Sequence, residues 1–530
     1  MRSTQRVESV RRRALRFFNA SPEYFDLVFV QNTTAAIKLV ADAFADAYRK
    51  TAGRDKGVSD FWYGYHKDCH TSLVGVREMT NATSRCFVSD EEVEDWLSCS
   101  ETGQAATTGH MDKLGLFAYP GQSNMTGRRL PFDWCAKLRN SPTHSTTFSL
   151  FDAAALATTA PIDLSNPARA PDFTTVAFYK IFGFPDLAAL ILRKGDASRI
   201  LQSRRYFGGG TVDMVTCVGS NWHAKKNPGN DAHYNLHDTL EDGTLPYHNI
   251  IALDHALDAH ERFFTSMSRI SSHTAYLGAR LFSGLKGLHH ANGLPLVRIY
   301  TDPQVQYGNP HTTGATIALN VQRSDGSLVS WQHVEKCANA RSIFVRGGGL
   351  CNPGGVATYL GLTAADYEEV WANGYRCGNP SEQAAGGRTL GVVRVSLGAM
   401  STKSDVDTFL QFLKDEFLMS KPDVQPSIGG AQVAELEAYS HPRRHQAVDG
   451  TVITTLAQRT GEQAVPLTTW SVSARSVHST STSSTDAEVV SLAPSNEVED
   501  RKVICWHCTT LPDNKVSRPK RLLFKLKGLI

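Results

Sequence analysis

Thr174-Thr175-Val176-Ala177-Phe178-Tyr179-Lys180-Ile181-Phe182-Gly183-Phe184-Pro185 is a β-type apolar run that reaches an amine and then breaks at glycine and proline. Asp152, 28 positions before Lys180, ends a second apolar run, Phe148-Ser149-Leu150-Phe151. Both polar residues are therefore expected at the carboxyl ends of buried strands, the edge of an open α/β sheet at which ligands bind. A lysine crowded by apolar neighbours has a lowered pKa and can serve as nucleophile and then as base. By residue type alone, the plainer reading is a solvated lysine and an aspartate that caps a helix.

Outward from this stretch, short apolar runs alternate with helical patterns. Leu27 to Val30 reads as a strand, Thr33 to about Tyr48 as a helix, Phe61 to Tyr63 as a strand, Ser72 to Met79 as a helix and Leu114 to Tyr119 as a strand. Further strands are expected at Thr147 to Phe151, Thr174 to Phe178 and Ala188 to Leu192. Alternation of this kind predicts an α/β fold with a mostly parallel sheet and helices on both faces. A helix from about Tyr247 to Met267 leads into a smaller α/β lobe, with strands at Leu296 to Tyr300, Gly314 to Val321 and Val392 to Leu397 and a closing helix from Lys403 to Phe417. The expected division is 1–255 for the large domain, 256–420 for the small lobe and 421–530 for a tail. In that tail Thr468 to Thr485 is rich in Ser and Thr with few large apolar residues, so it is expected to be disordered.

Composition narrows the class. With 41% hydrophobic residues, a chain of 530 residues can bury a large core, and 55 basic against 52 acidic residues leave a charge of only +3. That balance gives no reason to expect nucleic acid or membrane partners, and no apolar run approaches the roughly 20 residues of a membrane span. Ten cysteines without a compact framework suit a reducing compartment, and the cytoplasm is the expected location. Arg2, Arg6, Arg11, Arg12, Arg13 and Arg16 give the start the look of an organellar leader, against which Glu8 argues. Residues 501–530 hold eight Lys or Arg against Asp513 alone, which reads first as a solvated end and second as a targeting patch. Cys505-Trp506-His507-Cys508 has no second pair at a fitting distance, so no metal site is expected.

A lysine at one strand end with a carboxylate on an earlier one is the arrangement that pyridoxal phosphate enzymes use: the amine holds the cofactor and the acid pairs with its ring nitrogen. The surrounding segments resemble the aminotransferase domain of molybdenum cofactor sulfurases, a branch of the class V aminotransferase and cysteine desulfurase group. They are Leu27 to Lys38 with Asn32-Thr33-Thr34, Asp68-Cys69-His70-Thr71-Ser72 through Arg77, Phe117 to Asn124 with Pro120-Gly121-Gln122-Ser123-Asn124, Phe178 to Pro185, Tyr206 to Thr211, Glu241-Asp242-Gly243-Thr244, Leu350-Cys351-Asn352-Pro353-Gly354 and Arg394-Val395-Ser396. They occur in the family's order across about residues 5 to 415.

The resemblance implies a fold type I pyridoxal phosphate transferase with Lys180 as the cofactor lysine and Asp152 as its ring partner. Thr33 and Thr34 at a helix start would bind the phosphate, although the same residues would cap any helix. His70 would stack on the ring and move protons; alone it would pass for a surface histidine. Gln122 and Asn124 would reach the ring edge, its phenolic oxygen or the substrate. Arg394 would grip the substrate carboxylate, and Gly243 and Thr244 would touch the phosphate of a neighbouring subunit, which implies a homodimer. Gly208, Gly209 and Gly210 read either as close backbone approach to the cofactor or as a flexible turn.

Cys351, inside Arg346-Gly347-Gly348-Gly349-Leu350-Cys351-Asn352-Pro353, matches the persulfide-forming cysteine and is expected on a mobile glycine-rich loop; a lone cysteine is otherwise most often a small buried hydrophobe. The implied reaction converts L-cysteine to alanine with a persulfide on Cys351, the sulfur being destined for the molybdenum cofactor. Two other readings remain: a diverged class V enzyme acting on another amino acid, and a non-catalytic remnant. Ala177 departs from the pattern, standing where related enzymes have a phosphate-binding serine. By the same comparison the chain begins late, and residues 421–530 do not resemble the domain that handles the molybdenum cofactor.

Overall fold

Seven segments pair into the larger sheet of the computed structural model, which describes residues 2–51, 61–80, 84–98, 114–229, 234–377 and 385–418. The Ser/Thr-rich stretch, the basic end and Cys505 to Cys508 lie outside the described residues. The strands are β1 (Phe25–Val30), β2 (Trp62–His66), β3 (Ser84–Phe87), β4 (Gly115–Pro120), β5 (Thr147–Asp152), β6 (Phe173–Ala177) and β7 (Ala188–Arg193), in the spatial order β1-β7-β6-β5-β4-β2-β3. From β3 to β6 the neighbours are parallel, whereas β7 is antiparallel to both β6 and β1. The ten residues between β6 and β7 are too few for a crossover, so the chain turns straight back. Lys180 sits in that turn.

Every residue of β4 is buried, which is the condition of a strand covered on both faces. Phe117 and Tyr119 pack with Trp134 and Phe151 on one side, while Leu116 and Ala118 pack with Ile37, Val40 and Phe44 of the helix Thr33–Thr51 on the other. A hairpin of β8 (Val212–Val215) and β9 (His223–Lys225) follows. Beyond it β10 (Val297–Tyr300), β11 (Thr316–Val321), β12 (Arg346–Gly348) and β13 (Val392–Ser396) form an antiparallel sheet in the order β10-β11-β13-β12, with its own apolar core.

Three expectations change. The strand expected to run through Phe178 stops at Ala177, and Phe178–Phe182 makes a short helix that Gly183 closes at φ 78°. The helix expected to reach Met267 ends at Phe264; Thr265 turns into the left-handed region at φ 68°, and Ser266 caps a second helix, Met267–Lys286, by accepting Arg269 N. The glycine stretch before Cys351 is partly strand: Gly347 and Gly348 pair with Val393 and Val392, and Pro353 begins a helix, so only 349–352 form the connecting turn.

Two arginines of the opening helix, Arg2–Phe17, tie it to the rest of the fold. Arg11 is buried and forks onto Glu241 at 2.6 and 2.9 Å, and Arg13 pairs with Asp254 and Asp258 on the helix Tyr247–Phe264. Beside Arg11, both ring nitrogens of His237 face carboxylates, Nδ1 at 2.9 Å from Asp26 and Nε2 at 3.4 Å from Glu8. Burial opposes the charged ring, but the bonds to Asp26 and Glu8 outweigh it and push the pKa up to about 9.

Because the folded value lies above that of the unfolded chain, the stabilisation is complete below about pH 6.5 and is lost as pH rises through about 9. We expect urea unfolding to report a loss on the order of 2–3 kcal/mol between pH 6 and 9.5. His237→Gln should flatten that dependence, and an equally steep loss in the variant would contradict the assignment.

Candidate active site

The carboxyl ends of β1, β2, β4, β5 and β6 open on a cavity of about 280 Å³. Thr33, Thr34, Asp68, His70, Ser72, Gln122, Asn124, Asp152, Tyr179 and Lys180 all line it. Seven of the residues expected from sequence thus come together from five separate stretches of chain.

One end of the cavity is built for an anion. Asn32 accepts Ala35 N through Oδ1 at 2.9 Å and Ala36 N through its carbonyl at 3.2 Å, so it caps the helix Thr33–Thr51 and leaves the amides of Thr33 and Thr34 at the positive end. Thr33 Oγ1 is buried with no hydrogen-bond partner among the described residues, a donor waiting for an acceptor. Thr34 Oγ1 meets Ser72 Oγ at 2.7 Å, and Ser72 Oγ lies 3.0 Å from His70 Nδ1. Ser72 N also donates to that Nδ1 at 3.1 Å, so Nδ1 is an acceptor and Nε2 carries the proton of a neutral ring. Burial lowers the His70 pKa; Asp152 opposes this and Lys180 adds to it.

At the other end Asp152, a lining residue, accepts Ala154 N at 3.0 Å and Thr175 Oγ1 at 3.2 Å through Oδ1, which fixes the carboxylate and leaves Oδ2 outside these two bonds. Lys180 occupies the single helical turn after β6, and its pKa is lowered, by burial first and further by Arg394, against the pull of Asp152 and Cys351. A phosphate fits the helix end, a pyridinium nitrogen fits Asp152 and an aldehyde fits the amine. Ala177 closes β6 without a side-chain cap, so position 177 contributes no hydroxyl.

Cys351 and Arg394 do not line the cavity but stand close enough for their charges to act on Lys180. The cysteine turn is clamped. Asn124 Nδ2 donates to Leu350 O at 2.8 Å, Asn352 Nδ2 donates to Asn124 Oδ1 at 2.9 Å and to Asp68 O at 3.2 Å, and Thr71 N donates to Cys351 O at 3.0 Å. Leu350 and Cys351 both adopt positive φ, 54° and 52°, a strained state for residues with a Cβ. Arg394 Nη1 donates to Asn124 O at 2.8 Å. The amide of Asn124 therefore braces the cysteine turn while lining the cavity, with one N–H and Oδ1 engaged by the turn.

Gly243 and Thr244 are exposed and do not line the cavity of their own chain. Their loop is held by Glu241 beneath it and by Gly208 and Gly209, whose backbones bond Asp242 Oδ1 and Gly243 N. A Cβ at 208 would come within 2.7 Å of Asp242, so glycine there serves this packing. Ser72, Thr175 and Asn352 were not singled out by sequence. The Asn-Thr-Thr and His-x-Ser spacings are cap patterns that point to Asn32 and Ser72; the other two depend on tertiary contacts.

Fold and cavity together define a pyridoxal phosphate enzyme of the α/β type. Residues 1–409 match the family described as Aminotransferase class-V. The chain belongs to that family. Molybdenum cofactor sulfurase of Aspergillus fumigatus is 52% identical over 423 residues, 79% of this chain and 47% of the relative, and that of Aspergillus niger is 49% identical over 422 residues, 80% and 48%. The chain spans about half the length of these curated relatives. Among solved structures, the cysteine desulfurase CsdA of Escherichia coli superposes with a TM-score of 0.54 at 17% identity, covering 78% of this chain and 84% of that one. The apo cysteine desulfurase of Thermococcus onnurineus NA1 gives 0.53 at 17%, with the same coverage; both likenesses are of fold.

Proposed function

We propose that this chain transfers sulfur from L-cysteine to Cys351 in the manner of a cysteine desulfurase, and that the molybdenum cofactor is the eventual acceptor. The reading is carried by the convergence of Lys180, Asp152 and the Thr33 helix end on one cavity, with Cys351 at its edge. The name borne by the fungal relatives supports the acceptor.

Bound in the cavity, pyridoxal phosphate supplies an electron sink that makes the substrate Cα–H bond ionisable. Thr33 and Thr34 hold the phosphate, and Asp152 Oδ2 holds a proton at the ring nitrogen. His70 covers the ring as a neutral imidazole. Lys180, its amine kept more neutral by burial, takes the Cα proton. Arg394 directs its guanidinium to the substrate carboxylate. The thiolate of Cys351 attacks the substrate Sγ: an S–S bond forms, the Cβ–Sγ bond breaks, its electron pair takes up a proton, and alanine leaves. The exposed Gly243 and Thr244 would complete the phosphate site of a second copy, so the active unit is a homodimer. Among the described residues no helix is long and apolar enough to cross a membrane, and composition favours the cytoplasm.

The test is incubation of the full chain with pyridoxal phosphate and L-cysteine, reading alanine and protein-bound sulfane sulfur. Equimolar formation in the first turnover is expected; alanine without bound sulfur, or no alanine, would overturn the reading.

A further inference from the structure

Gln122 is a cavity residue whose amide orientation is dictated by its neighbours. Arg129 Nε donates to Gln122 Oε1 at 3.3 Å. A guanidinium has only donors, so the amide oxygen must face it, which leaves Nε2 as the other end of an amide that lines the cavity. Gly314 backs the amide so closely that a Cβ there would come within 2.3 Å of Oε1.

Arg129 is in turn held from two directions. Its Nη1 donates to Ser271 Oγ at 3.4 Å and to Pro310 O, and its Nη2 to Thr159 O at 3.4 Å and Oγ1 at 3.5 Å. Among the described residues no carboxylate forms an ion pair with it. Burial lowers its pKa to about 10, which still leaves it a cation at neutral pH with an uncompensated charge.

We propose that Arg129 is a positioning residue that locks Gln122 with its NH2 aimed into the cavity, so that the bound cofactor ring is held with an anionic oxygen beside that donor. The unpaired charge behind the amide favours the same anion. This rests on the reading that pyridoxal phosphate occupies the cavity. Nothing of the kind is required of an arginine that only ties two segments together.

The readout is a pH titration of the absorption band of the bound cofactor, with thermal stability recorded alongside. Arg129→Met should raise the midpoint by about one pH unit, the effect of removing one nearby charge and one oriented donor. Gln122→Leu should raise it similarly, and the double variant should go no further than the larger single shift. If Arg129→Met does not fold, Arg129→Lys, which keeps the charge but not the fork, should give a smaller rise in the same direction. An unmoved midpoint in Gln122→Leu and in the arginine variant overturns the proposal, as does a double variant in which the two shifts simply add. Absence of any cofactor band in the unsubstituted protein would instead overturn the functional reading itself.

Discussion

Lys180→Ala should give a folded protein that binds pyridoxal phosphate only reversibly and forms alanine from L-cysteine at least about a thousandfold more slowly. Folding should survive because the residue sits in a single helical turn between β6 and β7, and its removal relieves a buried amine of its desolvation. The expected loss is large because the proposed reaction assigns one group two jobs, holding the cofactor and taking the Cα proton, and removing it would disable both. Borohydride treatment followed by peptide mass analysis measures the first, and alanine release measures the second. Retained covalent attachment elsewhere in the chain would remove Lys180 from its assigned place.

Cys351→Ala should separate cofactor binding from sulfur chemistry. Cys351 does not line the cavity, so uptake of the cofactor and its absorption should be unchanged. Alanine release should fall by about two orders of magnitude or more, and no sulfane sulfur should remain on the protein. The turn itself should hold, since its anchors are the main-chain oxygens of Leu350 and Cys351 and the side chain of Asn352, none of which the substitution touches. Equal alanine release by the two proteins would exclude the thiol from the reaction. Cys351→Gly offers a further control: relief of the positive φ should raise stability by about 1 kcal/mol while activity is lost.

The parallel core of the fold was legible because its strands are short, almost wholly apolar and set off by helical periods, as at Gly115–Pro120 and Thr147–Asp152. The closing helix Lys403–Phe417 was equally plain, with Thr402 and Asp405 forming its capping box. What sequence did not show were features set by chain length or by distant partners. The reversal of β7 follows from a connection too short to cross over, and the break at Thr265 interrupts an unbroken helical pattern. Ser84–Phe87 was missed because three of its four residues are exposed. In the site, the cavity residues were readable from the resembling segments, whereas the roles of Thr175 and Asn352 lie in bonds to residues far along the chain and leave no local period.

In the proposed reaction the clamp around Cys351 sets how sulfur would leave. Gly354 lies against Lys67 O so closely that a Cβ there would approach it to 2.3 Å, and the main chain of Cys351 is tied to the segment bearing His70. A thiol on a tether travels to its customer; the turn bearing this one is bonded on both sides of residue 351. If Cys351 carries sulfur as proposed, an acceptor would have to be brought to a fixed berth, and the shape of the rim around residue 351 would decide what can collect the cargo.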